Sequence, residues 1–248
     1  MHQGIILYRG PSNIDGGPIV AIATGLVSPA RNTKTGPMVQ IYILRADRHP
    51  LSAVHSGEAA SVCGTCAHAG RVEVGDDGKK RNVGRSCYVT LIHGPSIVWK
   101  HFSEGKYAEV TRDEARRLLA GRIVRVGAYG DPSAVPMDVW TTALDRVADL
   151  TGYTHFWRDH PQLKAFCMAS VETAAERREA KILGFRTYRA RKPDDPLLEG
   201  EGHCPNDKDK SVICMSCMLC GGERSKAKAD ITTVIHGTGK VHFLKEFA

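Results

Sequence analysis

Short apolar runs alternate with amphipathic stretches along most of this chain, and that alternation predicts strands separated by helices. IVAIATGL (19–26) and VQIYILRA (39–46) read as strands, joined by the turn-rich VSPARNTKTGPM. CYVTLI (87–92) reads as another, followed by a helical PSIVWKHFSEG. TRDEARRLLAG (111–121) predicts a helix with Thr111 as N-cap, Glu114 as its capping-box partner and Gly121 as its stop. RIVRVGAYGD (122–131) is a strand running into a glycine-rich turn, and PMDVWTTALDRVADLTG is the helix after it. The rhythm then tightens. GYTHFW (152–157), FCMASV (166–171), FRTYRA (185–190) and DITTVIHG (230–237) read as short strands, with ETAAERREAKILG (172–184) a helix between two of them that ends on glycine.

Successive βα units imply an α/β fold with a parallel sheet. Polar or reactive residues stand near the C-terminal ends of the strands: Asp131, His155, Ser170, Arg189 and His236. Barrels build their sites from those ends, so the expected fold is a TIM-like (β/α) barrel, complete or partial, with Cys-rich metal-binding insertions. An open, doubly wound sheet is the alternative. GAYGDP is not a dinucleotide fingerprint and the chain has no P-loop, so no nucleotide cofactor is indicated. The length of 248 residues suits one barrel-like domain, 1–248, carrying a Cys-containing insertion (63–87) and a Cys-rich loop (203–222).

Composition adds three expectations. Apolar content of 42% is ordinary for a globular protein, and no run of eighteen or more apolar residues predicts a membrane span. The N-terminus lacks the pattern of a secretory signal, which points to the cytoplasm, where clustered cysteines hold metal more often than they pair. The net charge of +7 fits a polyanionic partner such as DNA or RNA. Basic residues gather at Arg31–Lys34, Lys79–Arg85, Arg186–Lys192 and Lys226–Lys228.

The cysteines carry the sharpest signal. Cys214, Cys217 and Cys220 follow a C-x2-C-x2-C spacing, with Cys204 upstream in HCPNDKDKSVICMSCMLCGG. Thiolates two residues apart can turn toward one ion, and such a set suits Zn2+ or an iron–sulfur cluster. His236 could replace Cys204 as fourth ligand. A second possible metal group comprises Cys63, Cys66 and Cys87, with His68 beside the pair. Cys167 opens a strand and reads as a small buried hydrophobe.

Among the strand-end residues, Asp131 and Asp47 are carboxylates suited to nucleophilic or acid–base work, or to turn formation. His155 alternates with Tyr153 and Trp157, which would put an imidazole and two aromatic rings on one face. Glu172 reads as a first-turn helix carboxylate. His236 ends the last strand before a glycine. Tyr129, Gly130 and Tyr153 are candidates for contact with a base, and Lys34 in NTKTG for contact with phosphate.

GLVSPARNTKTGPMVQIYIL, VCGTCAH, SCYV, VGAYGDPSAVP, GYTHFW, MASVETAAE and the CP…C-x2-C-x2-CGG run together resemble a group of phage-encoded proteins associated with the DpdA-type DNA transglycosylases, relatives of tRNA-guanine transglycosylase. The resemblance spans most of the chain. It implies a glycosyltransferase with a TIM-like barrel and a zinc site near its C-terminal part. The implied reaction exchanges guanine in DNA for a 7-deazaguanine base such as preQ0 through an aspartate-bound covalent intermediate. Asp131 or Asp47 would be the nucleophile, and His155 and His236 would complete the site. The implied zinc motif is usually C-x-C-x2-C with a downstream histidine, from which this chain departs. Two other readings fit the residues: an iron–sulfur barrel enzyme acting on nucleic acid, and a non-catalytic zinc-stabilised DNA- or RNA-binding protein.

Overall fold

Valine, isoleucine and leucine recur in the central strand segments, and residues 19–23 and 39–45 are among the most buried of the chain. The computed structural model describes residues 2–29, 32–237 and 239–247. Its strands are β1 (Gly4–Pro11), β2 (Pro18–Thr24), β3 (Val39–Arg45), β4 (Arg71–Val74), β5 (Lys80–Val83), β6 (Ala108–Glu109), β7 (Ile123–Tyr129), β8 (Asp149–Thr154), β9 (Met168–Val171), β10 (Thr187–Arg191), β11 (Glu201–His203) and β12 (Asp230–Val234). The helices are α1 (Pro50–Ser56), α2 (Ala60–Cys63), α3 (Gly94–Ser103), α4 (Arg112–Leu119), α5 (Met137–Ala143), α6 (Ala174–Ile182), α7 (Pro205–Lys208), α8 (Cys214–Cys217) and α9 (Lys240–Glu246).

Ten strands form one sheet in the order β11-β12-β10-β9-β8-β7-β3-β2-β1-β6. From β3 through β7, β8, β9 and β10 to β12 every pairing is parallel, and the strands lie side by side in chain order. β2 is antiparallel to both β1 and β3. The protein is thus α/β with a large, mostly parallel central sheet. Its main core joins Ile19, Ile22, Ile41, Leu44, Trp140 and Leu150, with Cys167 fully enclosed among them. No helix of the described residues is long and apolar enough to cross a membrane.

Most of the expected elements form. Thr111 caps α4 by accepting the Glu114 N–H, and Thr173 with Glu176 makes a full capping box on α6. The expected strand at 87–92 does not form. Arg85 instead holds the carbonyls of Cys87 and Val89, at 3.4 and 2.8 Å. The helix expected over 136–152 stops at Ala143, and β8 begins at Asp149. Residues 71–83 make an exposed hairpin of β4 and β5, and the eight-residue β1 and the short β6 and β11 add to the sheet.

The basic run at 186–192 turns inward. Arg186, Arg189 and Arg191 are all buried, and they hold carbonyls of Ala229, Pro196 and Asp195. Arg189, expected at a strand end, lies inside β10 and grips the Glu201 carboxylate through two 2.7 Å bonds. Such a pair specifies how β11 joins the sheet, since either partner alone would be a bare buried charge. Glu201→Gln should therefore lower unfolding free energy by about 3 to 5 kcal/mol in urea denaturation.

Candidate functional site

The chain between β3 and β7 returns twice to the carboxyl end of the sheet. Its first return is α2, which ends on Cys63. Gly64 follows with φ +52°, and a Cβ there would stand 1.8 Å from the Phe156 ring, so only glycine lets the loop lie against the segment after β8. Cys66 N–H bonds to Cys63 O, and His68 O accepts both Ser86 and Cys87 N–H groups. Cys63, Cys66 and Cys87 thereby reach one cavity of about 210 Å³, shared with Tyr129, Arg85 and Asn82. Burial pushes the Cys63 thiol up, and the neighbouring Cys66 and Cys87 push it further. Tyr129, whose hydroxyl adjoins Cys63 without a well-directed bond, is raised by burial and by the same sulfurs. A bound cation would reverse that balance and favour thiolates.

His68, expected beside those cysteines as a ligand, turns elsewhere. Its Nε2 lies 2.9 Å from Glu172 Oε1, and its Nδ1 lies 2.8 Å from Ser86 Oγ. His155 Nε2 stands 3.5 Å from the same carboxylate oxygen. Burial opposes ionisation of Glu172, but the bonds from His155 and His68 outweigh it and hold the carboxyl well below its usual range. Burial likewise works to lower His155, yet Cys66 and Glu172 raise it on balance. Cys66 thus lies near enough to raise His155 as well as Cys63. Glu172 follows β9 directly, as Asp47 follows β3 by two residues and Asp131 follows β7. That shared position was the signal for it, masked by its place at the start of a helix.

Both expected aspartates are already engaged. Asp131 N–H bonds to Val62 O at 2.6 Å. Its Oδ1 accepts Ser133 N–H and the Thr154 hydroxyl, and its Oδ2 accepts His155 N–H, at 3.0, 2.8 and 2.8 Å. The carboxylate is a cap and a tie between strand ends. Asp47 is half-exposed and held by two bonds from Arg45, whose guanidinium keeps it below the usual carboxylate range. Neither is presented as an unpaired nucleophile.

The single aromatic face expected over 153–157 is not there, because β8 ends at Thr154. Tyr153 is half-buried beside Cys220 and packs against Tyr188 at 4.8 Å, while Trp157 lies under α6 with Phe185. Gly130, at φ +82°, lets the end of β7 press on β3: a Cβ would meet Ile43 O at 2.6 Å. Its role is backbone approach between strands. Tyr129 does line the cavity. The β7 backbone advances four residues, Arg125 to Tyr129, while β3 advances two, Gln40 to Tyr42, and this bulge sets the tyrosine's position.

The C-terminal cysteines converge apart from this cavity. Burial lifts Cys220 to about 12 against a lowering bond from Tyr153, and the charges of Cys204, Cys214 and Cys217 add to the rise. His236 is not their partner. It is exposed beyond β12, with its ring 5.1 Å from Tyr88 and its Nδ1 2.8 Å from Val234 O. Lys34 belongs to the support of this loop: its carbonyl accepts Cys214 N–H at 2.9 Å, and its charge draws Cys204 and Cys214 down against burial. Arg31 lies outside the described residues. All eight cysteines are free, and among the described residues no three sulfurs lie within 4.8 Å of one another. Each set would close on an ion or surround a larger cluster.

The caps around Asp131 make a direct check. Asp131→Asn turns an amide N–H2 toward donors, and thermal unfolding should show a loss of about 1 to 3 kcal/mol. Comparison with protein-family models, curated proteins and solved structures finds no match to this chain.

Proposed function

We propose that this protein is a nucleic-acid-modifying metalloenzyme built as a (β/α) barrel, with its reaction centre in the cavity of Cys63, Cys66 and Cys87. The barrel reading is supported by the order of β3, β7, β8, β9, β10 and β12, which follow one another along the sheet as they do along the chain. A doubly wound sheet reverses that order at a switch point. Asp47, Asp131, His155, Glu172 and His236 all follow strands of this parallel run, at the end where barrels do chemistry.

The observation that carries the reading is the three-thiol cavity itself. Three thiolates hold three positions of a tetrahedral zinc, or three irons of a four-iron cluster, and leave the remaining position to substrate or water. Zinc would polarise a bound water there; a cluster would supply electrons. The four cysteines at 204–220 make a complete set, which suits a structural group. Within the chain itself, Arg85 and Asn82 offer donors at the cavity, and His155, next to Cys66, can hold or release a proton. The β4–β5 hairpin lines the cavity with Val72 and Asn82 and carries exposed Lys79 and Lys80 at its turn. That arrangement suits a phosphate backbone passing over the opening.

Exchange of guanine for a 7-deazaguanine is the narrower form of this reading, supported by the sequence motifs quoted above. It asks Asp131 to release Ser133, Thr154 and His155, or Asp47 to leave Arg45.

Two measurements test the proposal. Metal analysis and absorption spectra of protein purified without oxygen should show metal bound by both cysteine sets. Substituting Cys63, Cys66 and Cys87 together by serine should remove one set's share, with absorbance near ~400 nm marking iron–sulfur and its absence zinc. Unchanged metal content in that variant would sink the centre. Incubation with duplex DNA and preQ0, followed by nucleoside mass analysis, should show a deazaguanine nucleoside if the narrower form holds. Separately, Lys79→Ala with Lys80→Ala should weaken DNA binding and flatten the log K against log salt slope by roughly 1.5 to 2.

A further inference from the structure

The group formed by His68, His155 and Glu172 is not explained by the thiol cavity. Three separate pieces of chain bring it together: the loop after α2, the residue after β8 and the residue after β9. One atom of each lies within 4.8 Å of the others. Both imidazoles present Nε2 to the same Glu172 oxygen, at 2.9 and 3.5 Å. One carboxylate oxygen serves the nearer ring, and His155 Nε2 is left buried without a well-directed partner. His68 can serve as a ligand: with its Nδ1–H donated to Ser86 Oγ, its Nε2 lone pair would meet an ion lying between the ring and the carboxylate. Phe243 of α9 stacks on the His68 ring at 5.6 Å and 10°, and Phe247 lies 6.0 Å away, so an apolar wall closes one side.

Two buried imidazoles share one carboxylate oxygen and leave one ring nitrogen without a partner, which is costly at low dielectric. A divalent cation removes that cost and satisfies the orphaned nitrogen at once. We propose that His68 Nε2, His155 Nε2 and the Glu172 carboxylate bind a divalent transition-metal ion of the zinc type, separate from both cysteine sets. Two histidines and one glutamate leave a fourth position open to water, the pattern of a reactive rather than a structural ion. Ser86 is the positioning residue that fixes the His68 tautomer. This site does not depend on the three-thiol centre, and the two can stand or fall apart.

Cobalt distinguishes them. Co2+ on thiolates gives sulfur-to-metal charge-transfer absorption, whereas Co2+ on nitrogen and oxygen ligands gives weak visible bands alone. Chelator-treated full-length protein, reloaded with Co2+, should bind one equivalent more than its charge-transfer intensity accounts for. Glu172→Gln and His155→Ala should each remove that equivalent while the charge-transfer intensity stays. Ser86→Ala, which leaves every ligand in place, should weaken Co2+ binding there by about 10- to 100-fold and so covers the case in which the ligand variants fail to fold. The proposal is overturned if stoichiometry is the same in all these variants, or if the lost equivalent takes the charge-transfer band with it.

Discussion

One carboxylate holds the carboxyl end of the sheet together. Asp131 joins the end of β7 to α2 through its backbone and to the segment after β8 through both oxygens. Charge-assisted bonds of this kind are short and strongly directional, and burial raises their worth because no water competes. Remove the tie, and His155 loses the backbone bond that orients it toward Cys66 and Glu172. The thiol cavity and the His–Glu–His group both inherit their geometry from a residue that takes no direct part in either.

Charge serves the architecture of this fold. Arg189 with Glu201 and Arg177 with Asp230 are buried pairs that pin β11, α6 and β12 to the sheet. Asp230 also accepts Thr187 N–H at 2.9 Å, so one carboxylate serves a helix and a strand. Of the basic run at 186–192, Arg189 is paired in this way, while Arg186 and Arg191 are buried against carbonyls. Exposed cations remain at Lys79 and Lys80 on the β4–β5 hairpin, which buries little.

Two sets of thiols sit on the two sides of β8. Gly152 N–H bonds to Cys220 O at 3.1 Å and Tyr153 packs toward the C-terminal set, while His155, just past the strand, faces Cys66. A single strand therefore links a closed four-cysteine set to an open three-cysteine one.

Much of the chain's plan was legible from local chemistry. Alternating βα units, the Thr111 and Thr173 caps, the glycine stops and the spacing of Cys214, Cys217 and Cys220 are short-range facts, set by backbone sterics and by neighbours a few residues apart. What the eye could not recover is which distant groups meet. Asp131 looked like a nucleophile because nothing in its neighbourhood discloses Thr154 and the His155 amide. Glu172 looked like a helix-dipole carboxylate because His68 stands over a hundred positions earlier. Arg189 looked exposed until Glu201 covered it. Strand and helix periodicity, thiol spacing and net charge were decided by the sequence alone. Partner choice among buried polar groups was decided only by the tertiary structure, because a desolvated charge takes whatever counter-group the fold brings within about 3 Å, regardless of its distance along the chain.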